Sequence, residues 1–480
     1  MRPRRPVTAL LCLWLWLWLC VTVAAAVPAQ AADEDLDRAL ARVIASRGLE
    51  PLELPPLVPS PKFRLGQMLF FDPILSGTRD VACATCHLLG RGTSDAVALS
   101  VGVDAAGLAE ERRPLGAPRV HPRNSMDLWN RGHESVRNMF WDGRVSEIEA
   151  PVSRFRTPMG DYLPDGLESV LAAQALFPLA GEEEMLGLAH DRSAPDLPGG
   201  HGDRPNEIAL AALGLDEDEP QLFVAVHDAL MRRLLGRAGT PLADWQIAYR
   251  RLVGRAYPER MLGDIAMGDL ANAIGHFQAL AFVTRDTPWD RYLAGDAGAI
   301  GEAAKRGALL FYGKARCAAC HSGPLFSDFQ FHSLAAPQIG PGIDESGDDR
   351  GRFEATRIPR HLYQFRTPPL RNVTLTPPYF HSGAVTSLAD AIDHHLAPPA
   401  VAGAGVETAG EEAPDPAIEA LRRESFSPML RRGVALSEDE RASLLAFLES
   451  LEDAQTGRRP LIVPESVPSG LPVPALVAGN

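Results

Sequence analysis

Apolar positions recur at helical spacing along most of the chain, and strict alternation is almost absent, so the pattern predicts a mainly α protein. Two stretches share one pattern: Arg64-Leu65-Gly66-Gln67-Met68-Leu69-Phe70-Phe71 and Lys305-Arg306-Gly307-Ala308-Leu309-Leu310-Phe311-Tyr312. Each sets apolar residues at helical spacing after a glycine, and the repetition implies two related units in one chain. Between them, residues from about Asp165 to Leu293 are largely helical in pattern. Asp196 to Gly202, Ala336 to Phe353 and the low-complexity Ala397 to Pro416 read as loops. A last helix opens with the capping box Ser437-Glu438-Asp439-Glu440 and puts Leu444, Leu445, Leu448 and Leu451 on one face. After Arg459 a tail rich in Pro and Val is expected to extend over the surface.

The first residues change the picture. Arg2, Arg4 and Arg5 precede an apolar run from Val7 to Val27 and an Ala-x-Ala end at Ala29 and Ala31, which describes a secretory leader cleaved after Ala31. The run is also long enough for a retained anchor, but the small-residue end favours cleavage. Cys20 lacks the preceding small residues of a lipid-attachment site. No later run spans a bilayer, so no stable membrane anchor is expected. The net charge of −14 becomes more negative once the leader's arginines are gone; such a surface disfavours nucleic acid and suits a basic electron-transfer partner.

Cysteine usage brings in the chemistry. Cys12 and Cys20 lie in the leader; the remaining Cys83, Cys86, Cys317 and Cys320 all belong to Cys83-Ala84-Thr85-Cys86-His87 and Cys317-Ala318-Ala319-Cys320-His321. In CxxCH the two thiols add to the vinyl groups of one haem, and the histidine that follows is placed to bind its iron. Zinc sites draw on separated pairs, and a redox-active CxxC belongs in a βαβ pattern that is missing here. Two covalent haem c groups are therefore expected, with His87 and His321 as ligands.

At this point the chain resembles the bacterial di-haem cytochrome c peroxidases and the related MauG-type enzymes. The likeness rests on both haem motifs, on Leu65-Gly66 to Asp72-Pro73, Phe140-Trp141-Asp142-Gly143-Arg144, Phe311-Tyr312-Gly313-Lys314-Ala315-Arg316-Cys317, Phe365-Arg366-Thr367-Pro368-Pro369-Leu370-Arg371-Asn372-Val373, and Pro378-Tyr379-Phe380-His381-Ser382-Gly383. The resemblance implies two cytochrome c-like haem domains with helical insertions and long loops. They are expected at residues 32–295 (peroxide-reacting) and 296–456 (electron-transferring), after a leader at 1–31 and before a tail at 457–480. It also implies a periplasmic enzyme that reduces hydrogen peroxide with electrons from a small cytochrome or copper protein. The alternatives are a MauG-type oxidase acting on residues of a partner protein, and a di-haem electron carrier with no open iron; a homodimer is among the assemblies left open.

Individual residues follow by position. The resemblance makes Glu149 the acid–base group for O–O cleavage, with Glu147 as the nearby rival, and Trp129 the relay between haems. A Gln commonly precedes the Phe-Trp pair, where this chain has Met139. Many relatives carry a blocking His on the loop after the first motif, where this chain has Val103, which cannot bind iron; the peroxide site is expected to be open without prior reduction. The second haem's further ligand, Met or Tyr in the family, falls by count on His395, with Met429 and His394 as alternatives; a His would lower the haem potential. A calcium ion is implied near Asn124 and the carbonyls around Thr367 and Pro369.

Overall fold

The computed structural model describes residues 29–474 except 55, 116–118, 150–152, 191–204, 217–218, 238, 285, 344–346, 398–415, 455 and 457–460. The leader's apolar run and the expected loops at 196–202 and 398–415 therefore lie outside the described residues. What is described is mostly helical with little strand. The longer helices are α1 (Ala29–Arg47), α2 (Pro61–Phe71), the short α3 (Val170–Gln174), α4 (Pro220–Leu235), α5 (Asp244–Ala256), α6 (Met267–Ala281), α7 (Glu302–Tyr312), α8 (Leu388–Leu396) and α9 (Glu438–Glu449). Among the described residues no helix is long and apolar enough to cross a membrane.

Local sequence explains where the key helices start. Ser60 caps α2 by accepting from the Phe63 amide, and Pro61 occupies its first turn, where a missing N–H costs nothing. Ser437 and Glu440 close the expected capping box of α9.

The sequence repeat reappears as one helix crossing made twice. In the first, Gly66 of α2 lies against Ala273 of α6, where a Cβ would collide with the Ala273 carbonyl and stand 2.8 Å from Phe277 Cβ. In the second, Gly307 of α7 lies against Ser443 of α9, where a Cβ would collide with the Ser443 carbonyl and stand 2.8 Å from Phe447 Cβ. One turn on, Phe70 meets Phe277 with ring centroids 5.2 Å apart, and Phe311 meets Phe447 at the same 5.2 Å. Only glycine lets the backbones approach so closely, and the aromatic pairs then fill the acute side of each crossing.

Two separate apolar cores form around these crossings. The chain's two ends enter them crosswise. α1 buries Leu40 in the second core, packs Val43 and Ile44 there, and ties on through Asp37 to Tyr292 and Lys305; the sequence reading had placed it with the first unit. The tail does not simply lie on the surface, as its composition suggested. Ile462, Val467 and Leu471 are buried in the first core, Gln67 donates to the Leu461 and Ile462 carbonyls, and the Ser469 hydroxyl bonds Asp72. A Pro- and Val-rich segment has no helical period to reveal this, but its apolar side chains gain by burial wherever a groove accepts them.

The strands are short. The antiparallel sheet β1 (Asn138–Met139), β2 (Val145–Glu147) and β3 (Phe155–Arg156), in that order, brackets the Phe140 to Arg144 turn. Met139 pairs with Val145, and Ser146 with Arg156.

Candidate functional site

Each CxxCH follows the first helix of a glycine crossing along the chain, Cys83 after α2 and Cys317 after α7. No disulfide joins the cysteines. Burial pushes the thiols of Cys83, Cys86 and Cys317 up to about 12. The imidazoles are fixed alike: His87 Nδ1 lies 3.1 Å from the Thr93 carbonyl and His321 Nδ1 lies 3.0 Å from the Phe326 carbonyl. An Nδ1–H donated to a carbonyl leaves Nε2 as the free metal-binding nitrogen and sets the ring's orientation. Burial lowers the pKa of both rings, which keeps them neutral.

The surroundings of the two motifs differ. Across from His321 stands His395 of α8, with ring centroids 6.2 Å apart and planes at 59°. A metal–imidazole bond of ~2.0 Å plus roughly 1 Å from nitrogen to ring centre, doubled, gives about 6 Å, so the gap fits one iron shared by two imidazoles. His395 Nδ1 is held 2.7 Å from the Ala391 carbonyl, and burial lowers its pKa to about 4, so the ring is neutral with Nε2 left free. The rivals point elsewhere. His394 Nε2 is taken by the Leu334 carbonyl at 2.8 Å, and Met429 is exposed with its sulfur 3.5 Å from Cys320 Sγ, at the attachment edge.

At His87, among the described residues, no ring is paired with the imidazole in this way; instead a cavity of about 140 Å³ opens, lined by Cys83, Cys86 and His87 together with His121, Met139, Phe140 and Trp141. Four arginines line it: Arg123, Arg131 and Arg366, all almost fully buried, and the half-buried Arg144. Arg131 is paired with Asp127 at 2.8 Å and Arg366 bonds the Phe140 carbonyl at 3.0 Å, yet the Nη1 atom of each is buried with no hydrogen-bond partner. Burial and the neighbouring Arg131 press the Arg366 pKa down to about 9. Cationic N–H groups left unpaired in a closed cradle call for anionic oxygens. The two carboxylates of a haem would supply them, so the residues present fit that group. Sequence reasoning missed both arginines, because unpaired donors are visible only once the fold has placed every neighbour.

The other expected residues are placed as follows. Val103 is buried in the first core, and Met139 lines the cavity. Trp129 is fully buried, edge-on to Phe282 at 6.3 Å, just behind the cavity-lining Asp127 and Leu128. Glu149 is not brought to the cavity: its side chain is 89% exposed, 3.6 Å from Arg137. Glu147 pairs with Arg154 at 2.7 Å; the carboxylates lining the cavity are Asp127, Glu183 and Glu184. Asn124 spends its amide N–H groups on the Val97 and Ala98 carbonyls, and the Thr367 carbonyl accepts from Ser327 at 2.7 Å, so these groups are engaged within the protein. A buried network fixes the turn of β1 and β2: Arg123 joins Asp142 at 2.7 Å to Asp349 at 2.7 Å, and although burial raises the Asp142 pKa, Arg144 and Arg123 hold it well below the usual range.

The chain is similar to proteins of known family. The family model of the di-haem cytochrome c peroxidases matches residues 60–298. The cytochrome c551 peroxidase of Pseudomonas aeruginosa is 30% identical over 331 residues, covering 68% of this chain and 69% of that protein. The methylamine utilization protein MauG of Methylorubrum extorquens is 28% identical over 427 residues, covering 88% and 87%. Among solved structures, a MauG-like protein associated with microbial copper homeostasis superposes with a TM-score of 0.55 at 25% identity, over 86% of this chain and 99% of that one. The di-haem peroxidase BthA from Burkholderia thailandensis gives 0.51 at 20% identity over 86% and 91%, a likeness of fold.

Proposed function

Since the chain belongs to the di-haem cytochrome c peroxidase family, we propose that it is a periplasmic oxidoreductase with two cytochrome c-like units that reacts with hydrogen peroxide on the His87 side and passes electrons through the His321 side. Export rests on the leader read at residues 1–31 and on the use of every other cysteine for haem attachment. The observation that carries the reading is the asymmetry of the two sites: His321 faces a second imidazole, whereas His87 opens on a cavity.

Bound at Cys83, Cys86 and His87, a haem would supply the redox-active iron at which peroxide takes up two electrons and two protons and leaves as water. The chain's own groups prepare that place. Thr93 orients His87 through its carbonyl, and Arg131 and Arg366 offer buried cationic N–H groups to the carboxylates. Val103, standing where a blocking His falls in many relatives, offers no ligand. At the other unit His321 and His395 would together hold the haem and leave that site to electron transfer. Trp129, buried behind the cavity wall, is the aromatic group set to relay electrons between the units.

Carbon monoxide tests the asymmetry. The fully reduced haem-loaded protein should bind one molecule per chain, and peroxide should be consumed with oxidation of a reduced small cytochrome or copper protein. Uptake of none would make it a carrier, and uptake of two would remove His395 from the iron. A second reading, oxidation of residues on a partner protein, is favoured by His395 in place of a Met: a lower potential suits a pair held oxidised. Turnover of no small donor, together with peroxide-driven oxidation of a protein, would select it.

A further inference from the structure

Although the chain carries a net charge of −14, one face gathers cations that make no ion pair among the described residues. Arg156 on β3 lies opposite Ser146, whose hydroxyl donates to the Gly143 carbonyl at 2.7 Å. Gly143, with φ at 68°, leaves no room for a Cβ, which would stand 2.6 Å from Arg352 Nη1. Arg352 lies flat over the Phe331 ring at 3.5 Å and donates to the Asp142 carbonyl at 3.1 Å. One turn on, the Thr356 hydroxyl bonds the Arg352 carbonyl at 3.0 Å and meets His361 Nδ1 at 2.9 Å, with exposed Arg360 beside it. Ile358, 37% exposed, adds an apolar spot to the same patch.

The acids nearby are already engaged. Glu147 pairs with Arg154 at 2.7 Å, and Glu354 with Arg350 and Arg357 at 2.7 Å each. Among the described residues Arg156, Arg352 and Arg360 make no ion pair. Partial burial and Arg156 lower the Arg352 pKa to about 10, and desolvation with Arg352, Arg360 and Arg156 lowers that of His361. Like charges held together without counter-charges destabilise the free protein, and a partner bearing the opposite sign relieves them. Arginines around an apolar spot are also typical of the residues that dominate protein interfaces.

We propose that the face formed by Arg156, Arg352 and Arg360 docks an acidic protein, whose carboxylates make the ion pairs these arginines lack. Arg352 buttresses the same turn that sends Trp141 and Arg144 into the lining of the His87 cavity, so the partner sits one layer from that site. Nucleic acid fits less well, because a long phosphate chain would run off the patch onto an acidic surface. The inference rests on the proposed function only for what the partner exchanges; the docking itself needs no turnover.

The test uses the haem-loaded full chain and a fluorescein-labelled deca-glutamate peptide read by anisotropy. Saturable binding is expected at ~20 mM salt, weakening at least tenfold by ~200 mM as the Debye length shortens. Arg156→Glu with Arg360→Glu, both exposed positions, should lose at least tenfold in affinity with haem spectra unchanged. The same reversal at exposed Arg251 and Arg255 on α5 should stay within twofold. No saturable binding, equal binding by the two double variants, or equal binding of a decathymidine oligonucleotide would overturn the proposal. Failure here leaves the carbon monoxide and peroxide results standing, so the two readings fail separately.

Discussion

Replacing Gly307 by alanine puts the repeated helix crossing to a quantitative test. The added methyl would stand 2.8 Å from Phe447 Cβ, as well as against the Ser443 carbonyl, where carbon–carbon contacts settle at ~3.5–4.0 Å. α7 and α9 must therefore separate by about 1 Å, and the edge-on packing of Phe311, Phe326 and Phe447 loosens with them. Overpacking of this kind costs ~1–3 kcal/mol, and the carbonyl collision puts the site at the upper end; the better helix propensity of alanine returns up to ~1 kcal/mol. The net expectation is a loss of about 2 kcal/mol, and Gly66→Ala should lose as much, because its Cβ would meet Ala273 and Phe277 at the same distances. Gly254→Ala, inside α5 with nothing within 4 Å of the new methyl, should gain ~0.5–1 kcal/mol instead. Denaturant unfolding of the haem-loaded protein, with haem content checked for each variant, gives the three values. If Gly307→Ala and Gly254→Ala shift stability in the same direction, the close crossing is not what holds the second unit together.

Further outcomes follow from single side chains. His395→Ala should raise carbon monoxide uptake from one to two per chain, while Met429→Leu and His394→Ala leave it at one; uptake unchanged in His395→Ala would remove that ligand. Glu149→Gln is expected to alter the peroxide reaction less than threefold, because a general acid worth ~100-fold or more must reach the reacting oxygen and this carboxylate is 89% exposed; a hundredfold loss in stopped flow would return it to the chemistry. His227, buried on the Leu176 carbonyl at 3.1 Å, has its pKa lowered to about 4 by burial. Above the unfolded value near 6.5 neither state binds the proton. As pH falls from there to about 4, only the unfolded chain gains it, so stability should drop by about 3 kcal/mol. Urea unfolding of His227→Gln between pH 7 and 4 should show a smaller drop by that amount, and identical slopes would refute the assignment.

Much of the haem chemistry was legible in the sequence because covalent attachment fixes residue identity and spacing at once. The two CxxCH runs, their glycine-led helices and the terminal capped helix are local patterns, and local geometry realises them. His395 was reached by counting from a matched segment, and its ring stands 6.2 Å from that of His321. Glu149 was reached the same way, but it lies two residues beyond the end of β2, where nothing local determines which way the side chain faces. Arg131 and Arg366 could not have been singled out among so many arginines, since what distinguishes them is a missing neighbour. The crosswise ends were equally invisible: α1 and the tail carry ordinary apolar residues, and which core they complete depends on grooves made by distant helices.

That exchange of ends makes each core depend on a segment distant in the chain. The first haem unit contains the earliest motif to emerge, yet its core is closed by Ile462, Val467 and Leu471, the last described segment to be made. The second unit, synthesised later, waits with an open slot for α1, which has been available since the start. Neither half therefore completes its apolar core from one continuous stretch of chain, so neither is expected to fold as an independent module, and loss of the tail should open the first core as well.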